Sequence, residues 1–223
     1  TLKPKYDPLK DVKPLVEVAS SGLVLVGNPA LPPMPVTEMV SWVKANPGKV
    51  NFASYSPGTL SHVMGLQLNK AAGLDMQHIS FAGIPPALTQ VMGNQIPVMF
   101  SSVGPTKQFI AAGKVQVYGV VTKTRSSQLP NVPTLAEQGI PDMDFSNWVG
   151  VIAAASMPDA IVNKINDAVN KAANSPDVKA KLVAAGFEVS PRDLEAPQLA
   201  QSVKAEFERN AAIVKTFDIK LTQ

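Results

Sequence analysis

Apolar residues along the chain switch repeatedly between strand-like runs and helix-like stripes. Residues 12–26 carry Val16, Val18, Val24 and Val26 and predict extended chain, with Gly22 to Gly27 reading as a buried strand. A proline-rich loop covers Asn28 to Pro35. Thr37 is the expected N-cap of the next helix, with Glu38 in its first turn and Met39, Val40 and Val43 on its apolar face. Asn46-Pro47-Gly48 ends that helix. The cycle then repeats. Strands are predicted at 50–54, 76–81, 96–100 and 115–121. Helices fall between them, on Leu60, Val63, Met64 and Leu68, then on Leu88, Val91 and Met92, then over 105–112. This alternation predicts an open α/β sheet covered by helices, with most of these strands parallel.

The second part reads differently. Asn131 to Thr134 starts a predicted short helix that Gly139 ends. A strand is expected over 145–155 and another at 187–189. Helices are expected from Pro158, from Ser175-Pro176-Asp177 and from Pro197. Many helices here have few strands to cover, so this part is expected to expose apolar surface or to be filled by further chain.

Composition narrows the function classes. The 223 residues suit one or two domains. With no cysteine, disulfide scaffolds, thiolate metal sites and cysteine nucleophiles are excluded. Charged residues make up only 17%, and the net charge is +3 without clustering, so no nucleic-acid footprint is present. No apolar run approaches the ~20 residues of a membrane helix. No signal peptide is visible, and the chain starts at Thr1, so it reads as processed, trimmed or incomplete at its front.

The candidate chemistry sits in the turns that follow strands 50–54, 76–81 and 96–100. In an open parallel sheet these turns share one rim, where ligands bind. Each starts a helix, whose free N–H groups and dipole favour an anion by about 0.3–1 kcal/mol. Several such ends could hold a carboxylate without Arg or Lys. The richest turn runs from Ser54 to His62. Taken alone, its Ser54, Ser56, Thr59 and Ser61 read first as caps and turn formers.

An enzyme fares worse. His62 and His78 are the only histidines, and their spacing matches no metal motif. A Ser61–His62 nucleophile pair is disfavoured, because adjacent helical residues do not face each other. His62 reads instead as a helix residue satisfied by a backbone or carboxylate partner. Trp148 reads first as core, although Ser146 and Asn147 before it would turn a polar side toward a cleft.

Several segments jointly resemble one family. They are Tyr6-Asp7-Pro8-Leu9-Lys10-Asp11-Val12 and the strand Val18 to Val26. Ala45-Asn46-Pro47-Gly48-Lys49-Val50-Asn51-Phe52-Ala53-Ser54, followed by Gly58 and Ser61-His62, supplies a longer signature. Gly83 with Pro86-Ala87-Leu88, Leu129 to Glu137, and Trp148 with Gly150 add further landmarks. They resemble the extracytoplasmic solute receptors of the tripartite tricarboxylate transporters, the Bug-type binding proteins, from Tyr6 to the C-terminus.

The resemblance implies a type II periplasmic binding protein fold, two α/β lobes joined by crossing hinge strands. Residues 1–22 and 150–223 would form one lobe, lacking an N-terminal part, and 23–149 the other. It implies a periplasmic, non-catalytic monomer that binds a small carboxylate and delivers it to membrane transporter subunits, without metal, cofactor or nucleic acid. The implied ligand-binding residues are Ser54, Ser56, Gly58, Thr59, Ser61 and His62, with Phe81, Ala82 and Gly83, with Ser101 and Ser102, and with Ser146 and Trp148. Ala82 stands where relatives often carry Lys or Arg, and Tyr55-Ser56-Pro57 is bulkier than their usual turn, so the usual dicarboxylate is not implied. The alternative is the ligand-sensing effector domain of a transcription regulator, which shares the two-lobe architecture.

Overall fold

The computed structural model describes residues 5–32, 34–189 and 196–219. The chain divides into two compact units, Gly22–Ser146 and Thr1–Ser21 with Asn147–Gln223.

The first of these is a five-strand layer with helices packed on it. Its elements are the second half of β1 (Val12–Gly27), α1 (Val36–Lys44), β2 (Asn51–Ser54), α2 (Leu60–Ala72), β3 (Gln77–Ser80), α3 (Ile84–Met92), β4 (Val98–Ser102), α4 (Val103–Ala111) and β5 (Gln116–Val121). The strand order is β3-β2-β4-β1-β5. β2 runs parallel to both β3 and β4, with Ser54 opposite Ser80 and Phe52 opposite Val98. β1 is antiparallel between β4 and β5, pairing Leu23 with Ser102 on one side and Val121 on the other. The wholly buried run Leu23 to Val26 suits this central position, covered on both faces. The expected parallel alternation therefore holds for β2, β3 and β4, while β5 is reached only through β1. Hydrophobic period identifies strands but carries no information about which strand inserts between two others.

α2 shows why the helices lie where they do. Val63, Met64 and Leu68 are buried on its inner face. Gly65 lets the helix approach β2, because a Cβ there would run into the Phe52 ring. Gly73 then stops the helix in the left-handed region at φ 64°.

Three local expectations need correction. α1 starts at Val36 with Pro35, not Thr37, as its cap. The fixed φ of Pro35 sets up the first turn, and its carbonyl accepts from the Glu38 and Met39 N–H groups. α4 starts at Val103, two residues before Pro105, since a proline is tolerated within a first turn. The predicted helix at 131–139 is a turn instead. Thr134 and Glu137 do form a reciprocal capping pair, at 2.8 and 2.9 Å. The Val120 N–H donates to Pro133 and the Leu135 N–H to Val120, which ties this segment to β5 and stops propagation.

The second unit contains the first half of β1, β6 (Ser146–Ala154), α5 (Asp159–Ala173), α6 (Pro176–Ala184), β7 (Glu188–Val189) and α7 (Ala196–Thr216). β6 and β7 both pair with β1, the latter at Ala19 and Ser20. α5 closes a small core of Leu15, Val16, Ala153 and Val162, with Val151, Ile165 and Val169 around it. The Asn166 amide donates to the Leu15 carbonyl at 2.8 Å and so fixes the helix to the strand.

Candidate functional site

β2, β3 and β4 run the same way, so their carboxyl ends at Ser54, Ser80 and Ser102 share one rim, where α2, α3 and α4 begin. None of these three helices has a side-chain cap, and none carries an acidic residue in its first turn. α1, α5 and α6 differ, with Glu38, Asp159 and Asp177 in their first turns. The positive ends of those three helices are thus answered by the chain's own carboxylates, whereas the three at this rim are not.

The turn between β2 and α2 is held from within. Thr59 occupies the N-cap of α2, but its hydroxyl donates back to the Ser56 carbonyl at 2.7 Å. The hydroxyls that the sequence suggested as caps therefore do not cap α2. Ser54 Oγ, fully buried, donates to the same carbonyl at 3.1 Å and lies 2.7 Å from His78 Nε2. Gly58 bends the chain at φ 72° and donates its N–H to His62 Nδ1 at 3.1 Å. The Phe81 N–H donates to Ser54 and the Gly83 N–H to Tyr55, lacing the next turn to this one.

The third turn is tied in from beneath. Ser61 Oγ donates to the Phe100 carbonyl of β4 at 2.5 Å. Thr106 Oγ1 lies 2.7 Å from Ser101 Oγ and 2.8 Å from the Ser102 carbonyl. Burial raises the pKa of the Tyr55 phenol, against the lowering influence of the Ser102 side chain and the Ser61 N–H.

Two imidazoles complete the turn. His62 and His78 stack with ring centroids 3.8 Å apart and planes 17° apart. Phe52 lies beyond, 5.2 Å from His78. Burial lowers the pKa of His62. Burial, then the charge of His62, lowers that of His78 to about 4. Both rings are therefore neutral at pH 7.

The structure distributes the sequence-derived candidates unevenly. Ser54, Ser61 and Ser101 are fully buried, and their hydroxyls face protein partners. Gly58 and Ala82 are exposed, while Ser56, Thr59, His62, Phe81, Gly83 and Ser102 are half-buried around the same turns. Ser146 opens β6, and its side chain lies outside the described residues. Trp148 belongs to the other unit, where its ring occupies the space a side chain at Gly150 would need. The geometry gives the Ser61–His62 nucleophile no support. Ser61 donates to Phe100, and His62 accepts from Gly58. Among the described residues no group of three His, Asp or Glu is placed to hold a metal ion.

Sequence reasoning missed two participants. His78 sits alone in a strand, and only the parallel register of β2 and β3 brings it to Ser54 and His62. Tyr55 read as bulk in the turn, whereas its phenol is influenced by both the Ser61 N–H of α2 and the Ser102 side chain before α4.

Parallel strands whose following helices start without a side-chain cap or an acid define an α/β fold with a candidate anion-binding rim. Comparison with known proteins gives the class its family. The model of the tripartite tricarboxylate transporter family receptor matches residues 2–219, and the chain belongs to that family. A UPF0065 protein encoded in the tcbD-tcbE intergenic region of a Pseudomonas species is 31% identical over 98% of this chain and 65% of its own length. A second, from Agrobacterium vitis, is 30% identical over 94% of this chain and 61% of its own. The chain thus spans less than two thirds of these relatives. Among solved structures, a periplasmic transporter protein superposes with TM-score 0.83 at 30% identity, over 97% of this chain and 72% of its own. MatC from Rhodopseudomonas palustris with bound malate superposes with TM-score 0.81 at 30% identity, over 96% of this chain and 73% of its own. The fold class is therefore that of the periplasmic binding proteins.

Proposed function

We propose that this protein is a periplasmic receptor that binds a small carboxylate at the rim formed by the starts of α2, α3 and α4 and hands it to a tripartite tricarboxylate transporter, without chemical turnover. One observation carries the reading: three helix N-termini on one rim carry neither a side-chain cap nor an acid. Such ends bind anions through N–H groups and dipoles, with no lysine or arginine needed. The family match and the malate held by MatC point to the same ligand chemistry. The exposed and half-buried members Ser56, Gly58, Thr59, Phe81, Ala82, Gly83 and Ser102 contact ligand on this reading, and His62 orients the turn through Gly58. Ser54, Ser61 and Ser101 hold the turns from beneath. Among the described residues no helix is long and apolar enough to cross a membrane.

The test is calorimetry and thermal unfolding against mono-, di- and tricarboxylates, malate included, after co-purified ligand has been removed by unfolding and refolding. At a concentration of 100 Kd the true ligand adds about 2.7 kcal/mol of stability. No shift and no heat across the whole panel would overturn the reading.

A further inference from the structure

We propose that His62 and His78 are positioning residues, a neutral stacked pair that holds the Ser54–Thr59 turn in its ligand-binding shape and lets go of it on taking up protons. The inference rests on the rim being the anion site, and it concerns how that site is kept in order and regulated.

The hydrogen bonds fix the protonation of each ring. Gly58 N–H can only donate, so His62 Nδ1 must be an unprotonated acceptor at 3.1 Å. Ser54 Oγ has one proton and directs it to the Ser56 carbonyl, so His78 Nε2 donates to Ser54 at 2.7 Å. His62 therefore carries its hydrogen on Nε2 and is neutral, and burial beside it keeps His78 neutral as well. The bonds reach both ends of the turn, Ser54 at its start and Gly58 just before the cap of α2.

A proton added to His62 can only go to Nδ1. It would turn the acceptor into a donor aimed at another donor, the Gly58 N–H. The bond from His62 to the turn is then lost. Because the rings lie 3.8 Å apart, a charge on one also opposes a charge on the other, and the pair titrates as a unit. The surrounding elements supply nothing to offset this. β2, β4 and α3 contain no ionisable residue, and β3 contains only His78. α2 adds Lys70, eight positions beyond His62, and the turn adds the neutral Tyr55 phenol. α4 adds Lys107, which binds Gln128. Asp75, in the loop before β3, accepts from Gly48. Among the described residues no carboxylate faces either imidazole to favour its charged form.

The first test uses the ligand-free protein. Nuclear magnetic resonance should show both histidines titrating below 6.5 in linked steps, with the Gly58 amide resonance moving as His62 titrates. Histidines that titrate independently near 6.5 with a fixed Gly58 resonance would overturn the proposal. The second test compares malate affinity at pH 7.5 and pH 5.0 in the wild type and in His62→Gln, whose amide oxygen accepts a hydrogen bond but does not titrate. Malate's own protonation is common to both proteins. The wild type should lose about tenfold more affinity than the variant between the two pH values; equal losses would overturn the proposal. Failure of malate and every other carboxylate to bind at either pH would remove the carboxylate reading alone, since the resonance titration needs no ligand.

Discussion

The two units are built on opposite economies of helix and strand. In Gly22–Ser146 each helix has a strand to cover, and residues such as Phe52, Leu68, Met99 and Phe100 are fully buried. In the other unit the buried apolar side chains are Leu15, Val16, Ala19, Ala153, Val162, Leu199 and Ile219. α6 buries none of its residues. Every large hydrophobic left exposed among the described residues lies in this unit: Tyr6, Leu9, Val149, Ile152, Ile161, Val183 and Phe207. A continuous core demands matched faces, and among the described residues three helices meet only half of β1, β6 and the two-residue β7, so apolar area stays in water. The proposed anion rim stands on the well-filled unit, whose packing can hold backbone N–H groups in fixed positions.

The largest expected effect separates the two cores. Leu68→Ala should cost about 2–5 kcal/mol in urea unfolding, because it empties a closed site beneath α2. Val183→Ala, on the exposed side of α6, should stay within about 0.5 kcal/mol. Equal costs would erase the contrast. Next comes the rim. Gly58→Val forces a β-branched residue into the left-handed region at φ 72°, at a cost of about 1–2 kcal/mol. Ligand affinity should fall further than stability, and calorimetry on the refolded variant would show whether it does.

A smaller effect follows acidity. The unfolded histidine pKa is about 6.5, and folded His78 stands at about 4. Between these values the unfolded chain binds more protons than the folded one, so stability falls as pH drops through that window. The contribution of the pair is intact above 6.5. His78→Phe should flatten this slope, and an unchanged slope in a pH series of melts would refute the assignment. The smallest effect is on the poorly filled unit. Ile152→Ser should leave stability within about 0.5 kcal/mol while lowering binding of a hydrophobic dye. A full loss of folding would show that Ile152 is not the surface residue described.

These contrasts also explain what could be read from the sequence. The period of Leu60, Val63, Met64 and Leu68, and the break at Gly73, express local physics, so α2 was legible. The rim followed from strand–helix alternation and a rule about parallel sheets. The place of β1 between β4 and β5 was not legible, because insertion depends on long-range pairing. Thr134 and Glu137 gave a true capping signal, yet bonds to β5 consumed the backbone that a helix would have needed. The reading of His62 as satisfied by a backbone or carboxylate partner resolves to the backbone, through its bond from Gly58. His78 stayed hidden because its partners come from another strand and another helix. Their distance along the chain says nothing about a 3.8 Å stack.

The cap position of α2 also puts robustness and purpose at odds. Thr59 turns its hydroxyl away to Ser56 and leaves the helix start open. Aspartate at that position would cap the N–H groups itself, stabilising the helix by about 0.5–2 kcal/mol. A search for heat-tolerant variants would therefore select Thr59→Asp, and a search for ligand uptake would discard it. The open helix start is a weakness that selection for stability alone would repair, and on the reading proposed here the repair would fill the site with the protein's own carboxylate.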